Sequence, residues 1–239
     1  MSSPLASLVM AMQRAMSQEN EGALFIDDVR REAVLRGVVA GYYSALPTGT
    51  TVVDTNRVWC AKLPLLARLY PEAKVIACVR DVGAVMDSFE RVHRASPLEP
   101  SGIYKFDSGT TVYGRVGALA GSDGVVGFAL DALREAFFSP EARGRLMLLT
   151  HETLVAEPAR AMAAVYDHLG LPSFAHDFED VRYDAGEFDR RLGAPGLHHV
   201  GRRVTPLERE AVLPPGLLAR FTGDAFWRDG PNPRHVVVV

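Results

Sequence analysis

The chain is predicted to be an α/β protein: a three-layer domain with a mostly parallel central sheet and helices on both faces. Three observations predict this. Val75-Ile76-Ala77-Cys78-Val79 is an unbroken apolar run rich in β-branched residues, the pattern of a strand covered on both faces inside a parallel sheet. Residues 145–150 carry a second strand-like run, Leu146-Met147-Leu148-Leu149-Thr150. Around these runs apolar residues recur at helical spacing, so helices and strands alternate along the chain.

In chain order, Ser3 can cap a helix with Pro4 at its first position, and Leu5, Leu8, Val9, Met12 and Met16 form one apolar stripe along it. Leu24-Phe25-Ile26 reads as a short strand ending in Asp27 and Asp28. Residues 29–45 read as a helix ended by Pro47 and Gly49. Thr51-Val52-Val53 reads as another strand, ended by Asp54. A helix near 58–69 leads to the strand at 75–79, and one near 82–93 follows it. Residues 95–122 are punctuated by Pro97, Pro100, Gly102, Gly109, Gly114, Gly117 and Gly121, with Tyr104, Phe106 and Tyr113 among them. They read as a long loop, either functional or a surface connection whose aromatics pack on the core. A helix at 124–138, the strand at 145–150 and a helix near 158–169 complete the regular part. Val236-Val237-Val238-Val239 suits a terminal strand or a frayed tail.

Length and composition fit one domain, residues 1–239, with 48% hydrophobic and 23% charged residues. A net charge of −3 gives no electrostatic case for nucleic acid or an anionic membrane. Cys60 and Cys78 are the only cysteines, Cys78 within the predicted buried strand, and they lack metal-ligand spacing. That argues for a reduced compartment and against a disulfide scaffold. No apolar run approaches the ~20 residues that span a bilayer. The first twenty residues lack a basic start, so no signal peptide is expected and a cytoplasmic location is.

The strongest site candidate lies where the 75–79 strand ends. Arg80 stands at the carboxyl edge of the sheet, where open α/β folds bind ligands. Ser88, two turns into the next helix, can return its hydroxyl to that crevice. A planar guanidinium fork beside a hydroxyl suits phosphate. The alternative is an Arg80–Asp81 cap pairing with neighbouring loops.

The segment Ala73–Val82 followed by Ser88 resembles the sulfotransferases that use 3′-phosphoadenosine 5′-phosphosulfate, in which a strand ending in Arg-Asp or Arg-Asn and a Ser eight residues on bind the donor's 3′-phosphate. Other elements follow in the same order. Asp54-Thr55-Asn56-Arg57, Leu63-Pro64-Leu65-Leu66 and Leu69-Tyr70-Pro71 resemble the family's strand, turn and helix before the Arg strand. Leu146–Leu154 with Pro158 resembles its strand-Tyr-Glu-x-Leu…Pro element, and His168-Leu169-Gly170-Leu171-Pro172 the end of the helix after it. The resemblance covers most of residues 50–205.

What the resemblance implies is a P-loop NTPase-like sulfotransferase fold and transfer of a sulfonate from that donor, used as co-substrate without a metal, to a hydroxyl or amine. The acceptor would be a small or carbohydrate-like molecule. His151 stands where many relatives have the Tyr that contacts adenine. Arg202 and Arg203, in Gly196-Leu197-His198-His199-Val200-Gly201-Arg202-Arg203-Val204, loosely match the basic loop that closes on the 3′-phosphate; a solvated basic turn is the other reading. The family's usual base, a His or Lys, has no counterpart in residues 54–57. Asp54 or the pair Asp27/Asp28, carboxylates at predicted strand ends, are candidates for that role, with helix capping the alternative. The family's opening strand and its loop Gly-x-Pro-Arg-x-Gly-Ser-Thr, which cradles the phosphosulfate, have no counterpart here. The fold is therefore expected to be incomplete at its N-terminus and marginally stable. Weak bisphosphate binding and no transfer are expected, unless another segment holds the phosphosulfate. A non-catalytic nucleotide- or partner-binding homologue is the alternative.

Overall fold

The computed structural model describes residues 3–96, 98, 101–104, 110–207 and 209–239. Pro97, Pro100, Phe106 and Gly109 of the glycine- and proline-rich stretch lie outside the described residues. The chain divides into two compact units, Met1–Ala73 and Lys74–Val239.

The first unit is helical. Helix α1 (Leu5–Ala15) starts where Ser3 Oγ accepts a hydrogen bond from Leu5 N at 3.2 Å. A single 3-10 turn, Glu21–Phe25, precedes α2 (Asp28–Tyr42), whose first turn is capped by Asp27 accepting from Arg30 N at 2.8 Å. Helices α3 (Val58–Ala61) and α4 (Leu63–Leu69) follow, the break falling at Lys62 just before Pro64. Leu5, Ala6, Val9, Met16, Leu35, Trp59 and Leu69 pack into one core. The apolar stripe read from the sequence is thus a core face at Leu5, Val9 and Met16, while Leu8 is exposed.

Both strands expected in this unit are absent. Leu24-Phe25-Ile26 is the end of the 3-10 turn, with Leu24 and Phe25 exposed. Thr51-Val52-Val53 has no regular secondary structure and belongs to no ladder, and Val53 faces solvent. An apolar triplet becomes a strand only where a neighbour supplies hydrogen bonds, and the described residues of this unit hold no ladder. Helix α2 also ends at Tyr42, earlier than the expected residue 45.

The second unit carries the sheet. Strands β1 (Val75–Val79), β2 (Leu146–Thr150) and β3 (Val237–Val238) pair in that order, all parallel, with Val75 opposite Leu146 and Met147 opposite Val237. The central strand is the buried one: Leu146, Met147, Leu148 and Leu149 are all in the core, which suits an unbroken apolar run. Alternate residues Met147 and Leu149 pack on Ala161 and Val165. The expectation of full burial fails for β1. Among the described residues it pairs only with β2, its residues are mostly half-buried, and Cys78 is exposed rather than enclosed. An edge strand has a neighbour on one side only.

Helix α5 (Val82–Ala95) leaves β1 at Asp81, which caps it by accepting from Ala84 N at 2.9 Å. The expected loop at 95–122 contains a helix, α6 (Val112–Ala120), capped by Thr111 accepting from Gly114 N at 3.0 Å. Its glycines masked an apolar face on which Val116 and Leu119 are buried. Helix α7 (Val125–Phe138) runs back from Gly124, where an added Cβ would fall 2.2 Å from the Ala118 carbonyl oxygen. Residues Val112–Phe138 together are long and apolar enough to cross a membrane, but turn at Gly121–Gly124 into these two helices.

After β2 come α8 (His151–Ala156) and α9 (Pro158–Leu169), the latter ended by Gly170 at φ 66°. Three short helices close the unit: α10 (Gly186–Arg191), α11 (Pro215–Ala219) and α12 (Phe226–Asp229). Val82 and Met86 of α5, Val116 and Leu119 of α6, and Leu213, Leu217 and Phe221 form a second core. Asp87 fastens it by accepting from the backbone of Val212 at 2.7 Å and Leu213 at 3.0 Å.

Candidate active site at the carboxyl edge of the sheet

Parallel strands that end level present their next residues side by side. Val79 is opposite Thr150, so the chain leaves β1 at Arg80 and β2 at His151 on the next rung. The two side chains interact. Burial first, and then the Arg80 charge, lower the His151 pKa below its ordinary value, with Glu152 opposing weakly. Glu152 is itself paired with Arg228 at 2.8 Å. Asp81 is spent on capping α5 and not on its neighbour. Arg80 is half-buried, and its guanidinium has no hydrogen-bond or ion-pair partner among the described residues.

Two turns into α5, Ser88 is half-buried on the helix that starts at this edge. Further along α5, Glu90 is buried at 2% exposure and grips Arg115 through two bonds of 2.8 Å, with Arg94 at 2.9 Å. Burial pushes the Glu90 carboxyl up, but the two guanidiniums outweigh it and hold the pKa below the ordinary range. This cluster joins α5 to α6. Burial pushes the nearby Tyr104 hydroxyl up to about 12.

Arg202 and Arg203 lie on an irregular backbone pairing in which Val181 N donates to the Arg202 carbonyl and Val204 N to that of Phe178. Their guanidiniums are held by carboxylates. Arg202 donates to Asp180 at 2.6 and 3.0 Å, Arg182 shares that carboxylate at 2.6 Å, and Arg203 pairs with Glu179. Asp28 and Asp54 belong to the first unit. Asp28 forms an exposed ion pair with Arg31 at 2.9 Å in the first turn of α2. Asp54 accepts from the Tyr43 hydroxyl and, at 2.6 Å, from Trp59 Nε1, so both its oxygens brace the helical core.

One arrangement was not foreseen. Asp189, 2% exposed, accepts a hydrogen bond from His198 N at 2.9 Å and lies 2.5 Å from its ring Nδ1. His198 stood in the glycine-flanked run noted above, but its partner nine residues earlier carried no signal, because a turn and not a periodic element brings them together.

No group of three or more His, Cys, Asp or Glu among the described residues is arranged to hold a metal ion. A family model described as the sulfotransferase family matches residues 9–176, more than half of the chain. The match takes in Arg80, Ser88 and His151 and stops short of Asp189, His198, Arg202 and Arg203. No curated protein and no solved structure matches the chain.

Proposed function

Because the chain belongs to the sulfotransferase family, we propose that it carries a sulfonate group from 3′-phosphoadenosine 5′-phosphosulfate to a hydroxyl or amine of a small or carbohydrate-like acceptor. The observation that supports this most is Arg80, half-buried at the carboxyl edge of a parallel sheet and without an ion-pair partner among the described residues. A planar fork of donors at such an edge suits a phosphate. Arg80 and Ser88 are assigned to the donor's 3′-phosphate. His151, neutral beside Arg80, is assigned to the adenine, which an imidazole can meet by stacking or hydrogen bonding. Arg202 and Arg203 join the same phosphate only by exchanging their carboxylate partners for it. The fold is proposed to be of the P-loop type with helices on both faces of the sheet, in a cytoplasmic protein that needs neither nucleic acid nor membrane.

A second reading, nucleotide binding without transfer, is favoured by the engagement of the candidate bases: Asp27 caps α2 and pairs with Arg30, Asp28 is paired with Arg31, and Asp54 accepts from Tyr43 and Trp59. The first test is on the donor site. Arg80→Ala is expected to weaken adenosine 3′,5′-bisphosphate binding by about 10- to 100-fold, the worth of a charge-assisted hydrogen bond. Adenosine 5′-monophosphate, which lacks the contacted group, is expected to lose less than about threefold. Equal losses for both ligands in calorimetry would remove Arg80 from the 3′-phosphate.

A further inference from the structure

The first unit holds an open cavity of about 350 Å³ between α1, α2 and α4. That volume is at the lower end of small-molecule clefts and takes a compact ligand. Met16 just beyond α1, Leu35 of α2 and Leu69 of α4 line it, and all three are buried. Residues three or four positions away share a helix face with these. Gln13 therefore stands with Met16, and Arg31 and Glu32 with Leu35, so each apolar wall carries polar groups one turn off.

Gln13 is the first of these to point to a ligand. Its amide has no hydrogen-bond partner among the described residues, and its Oε1 is buried. A buried acceptor left unpaired costs free energy that a ligand donor recovers. The last torsion of a glutamine side chain is broad, so the amide can turn either its oxygen or its N–H to a ligand. A hydroxyl, which donates and accepts, meets both.

Charge selects the other end of the ligand. Arg31 spends its three nitrogens on Asp28 at 2.9 Å and on the Met16 and Ala23 carbonyls at 3.3 Å each, so it braces the wall. Glu32 accepts from Arg36 at 2.7 Å and from Arg68 at 3.1 Å. Those two guanidiniums, Arg36 first, hold its carboxyl below the ordinary range. Asp27 and Arg30 cancel each other nearby. Two carboxylates, Asp28 and Glu32, are thus set against three guanidiniums, which leaves one positive charge in excess. The spare donors belong to Arg68, which engages only its Nε among the described residues and whose side chain is 63% exposed.

From these features we infer that the cavity binds a compact organic monoanion bearing a hydroxyl. The anion rests on Arg68, the apolar body on Met16, Leu35 and Leu69, and the hydroxyl on the Gln13 amide. The cavity is lined wholly by the first unit. The inference does not depend on the sulfonate-transfer reading.

The experiment is calorimetry on the full chain with three probes of increasing length: 4-hydroxybenzoate, 4-hydroxyphenylacetate and 3-(4-hydroxyphenyl)propanoate. The best of them is expected to bind with a dissociation constant of about 0.1–5 mM, the range open to so few atoms. It should also move the methyl resonance of Met16 in the NMR spectrum. The matching acid without the hydroxyl should bind at least about threefold more weakly, and Gln13→Leu should abolish that difference. Arg68→Gln should weaken both acids by about threefold or more. Four results would each overturn the inference: no probe binding below about 20 mM, an unmoved Met16 resonance, equal affinity with and without the hydroxyl, or undiminished binding by Arg68→Gln. The first would leave the Gln13 amide to water alone. If Gln13→Leu does not fold, the hydroxyl comparison in the parent and the Arg68 variant still decide.

Discussion

Arg80 and His151 are neighbours because two parallel strands end on the same rung, and their proximity has a measurable consequence. His151 is neutral at pH 7, burial and then the Arg80 charge both opposing its protonation. In the unfolded chain the imidazole titrates near ~6.5. As pH falls below that value the unfolded chain takes up the proton first, so this residue's contribution to stability declines with falling pH. A phosphate bound at Arg80 cancels the second cause and raises the ring's affinity for a proton. Binding of adenosine 3′,5′-bisphosphate near pH 6 is therefore expected to take up more protons in the parent than in His151→Gln, read from the dependence of calorimetric heat on buffer ionisation. Equal uptake would place His151 away from the phosphate. That Arg80 ends a strand and Ser88 stands two turns into the next helix was legible, because a strand-plus-helix run is a local pattern. The Asp189–His198 pair was not, since a contact made across a turn leaves no period in the sequence.

Among the elements, legibility follows the length of the pattern and the presence of partners. Helix α9 (Pro158–Leu169) begins at a proline and is followed by a glycine, and it lies where the sequence placed a helix near 158–169. The strands at 75–79 and 146–150 were readable as apolar runs. The strands expected at 24–26 and 51–53 were not strands because no neighbour pairs with them, and α6 was missed because glycines diluted its apolar face. The irregular pairing of residues 178–182 with 202–204 adds a prediction. Asp180 holds both Arg182 and Arg202 in exposed ion pairs, each of small net worth. Asp180→Asn releases Arg202 at little cost in stability. If Arg202 reaches the donor's 3′-phosphate, bisphosphate affinity should rise about two- to fivefold. An unchanged dissociation constant would leave Arg202 as a partner of the acidic segment alone.

For the whole molecule, the second unit depends on one strand. β2 pairs on both edges and its side chains are buried on both faces, with Leu148 fully enclosed. Leu148→Ala is expected to cost about 2–5 kcal/mol, seen as faster amide exchange across β1 and β2; a loss below about 1 kcal/mol would mean that this core relaxes around the gap. The order of pairing carries a consequence in time. Residues 75–79, 146–150 and 237–238 are far apart in sequence yet adjacent in the sheet, and parallel pairing admits no tight hairpin that zips. Each rung must wait until a long loop has closed, a search that slows folding as sequence separation grows. During synthesis, β2 emerges from the ribosome with one edge open and stays so until β3 follows. Over that interval its unpaired N–H and C=O groups, flanked by apolar side chains, are open to pairing with another chain.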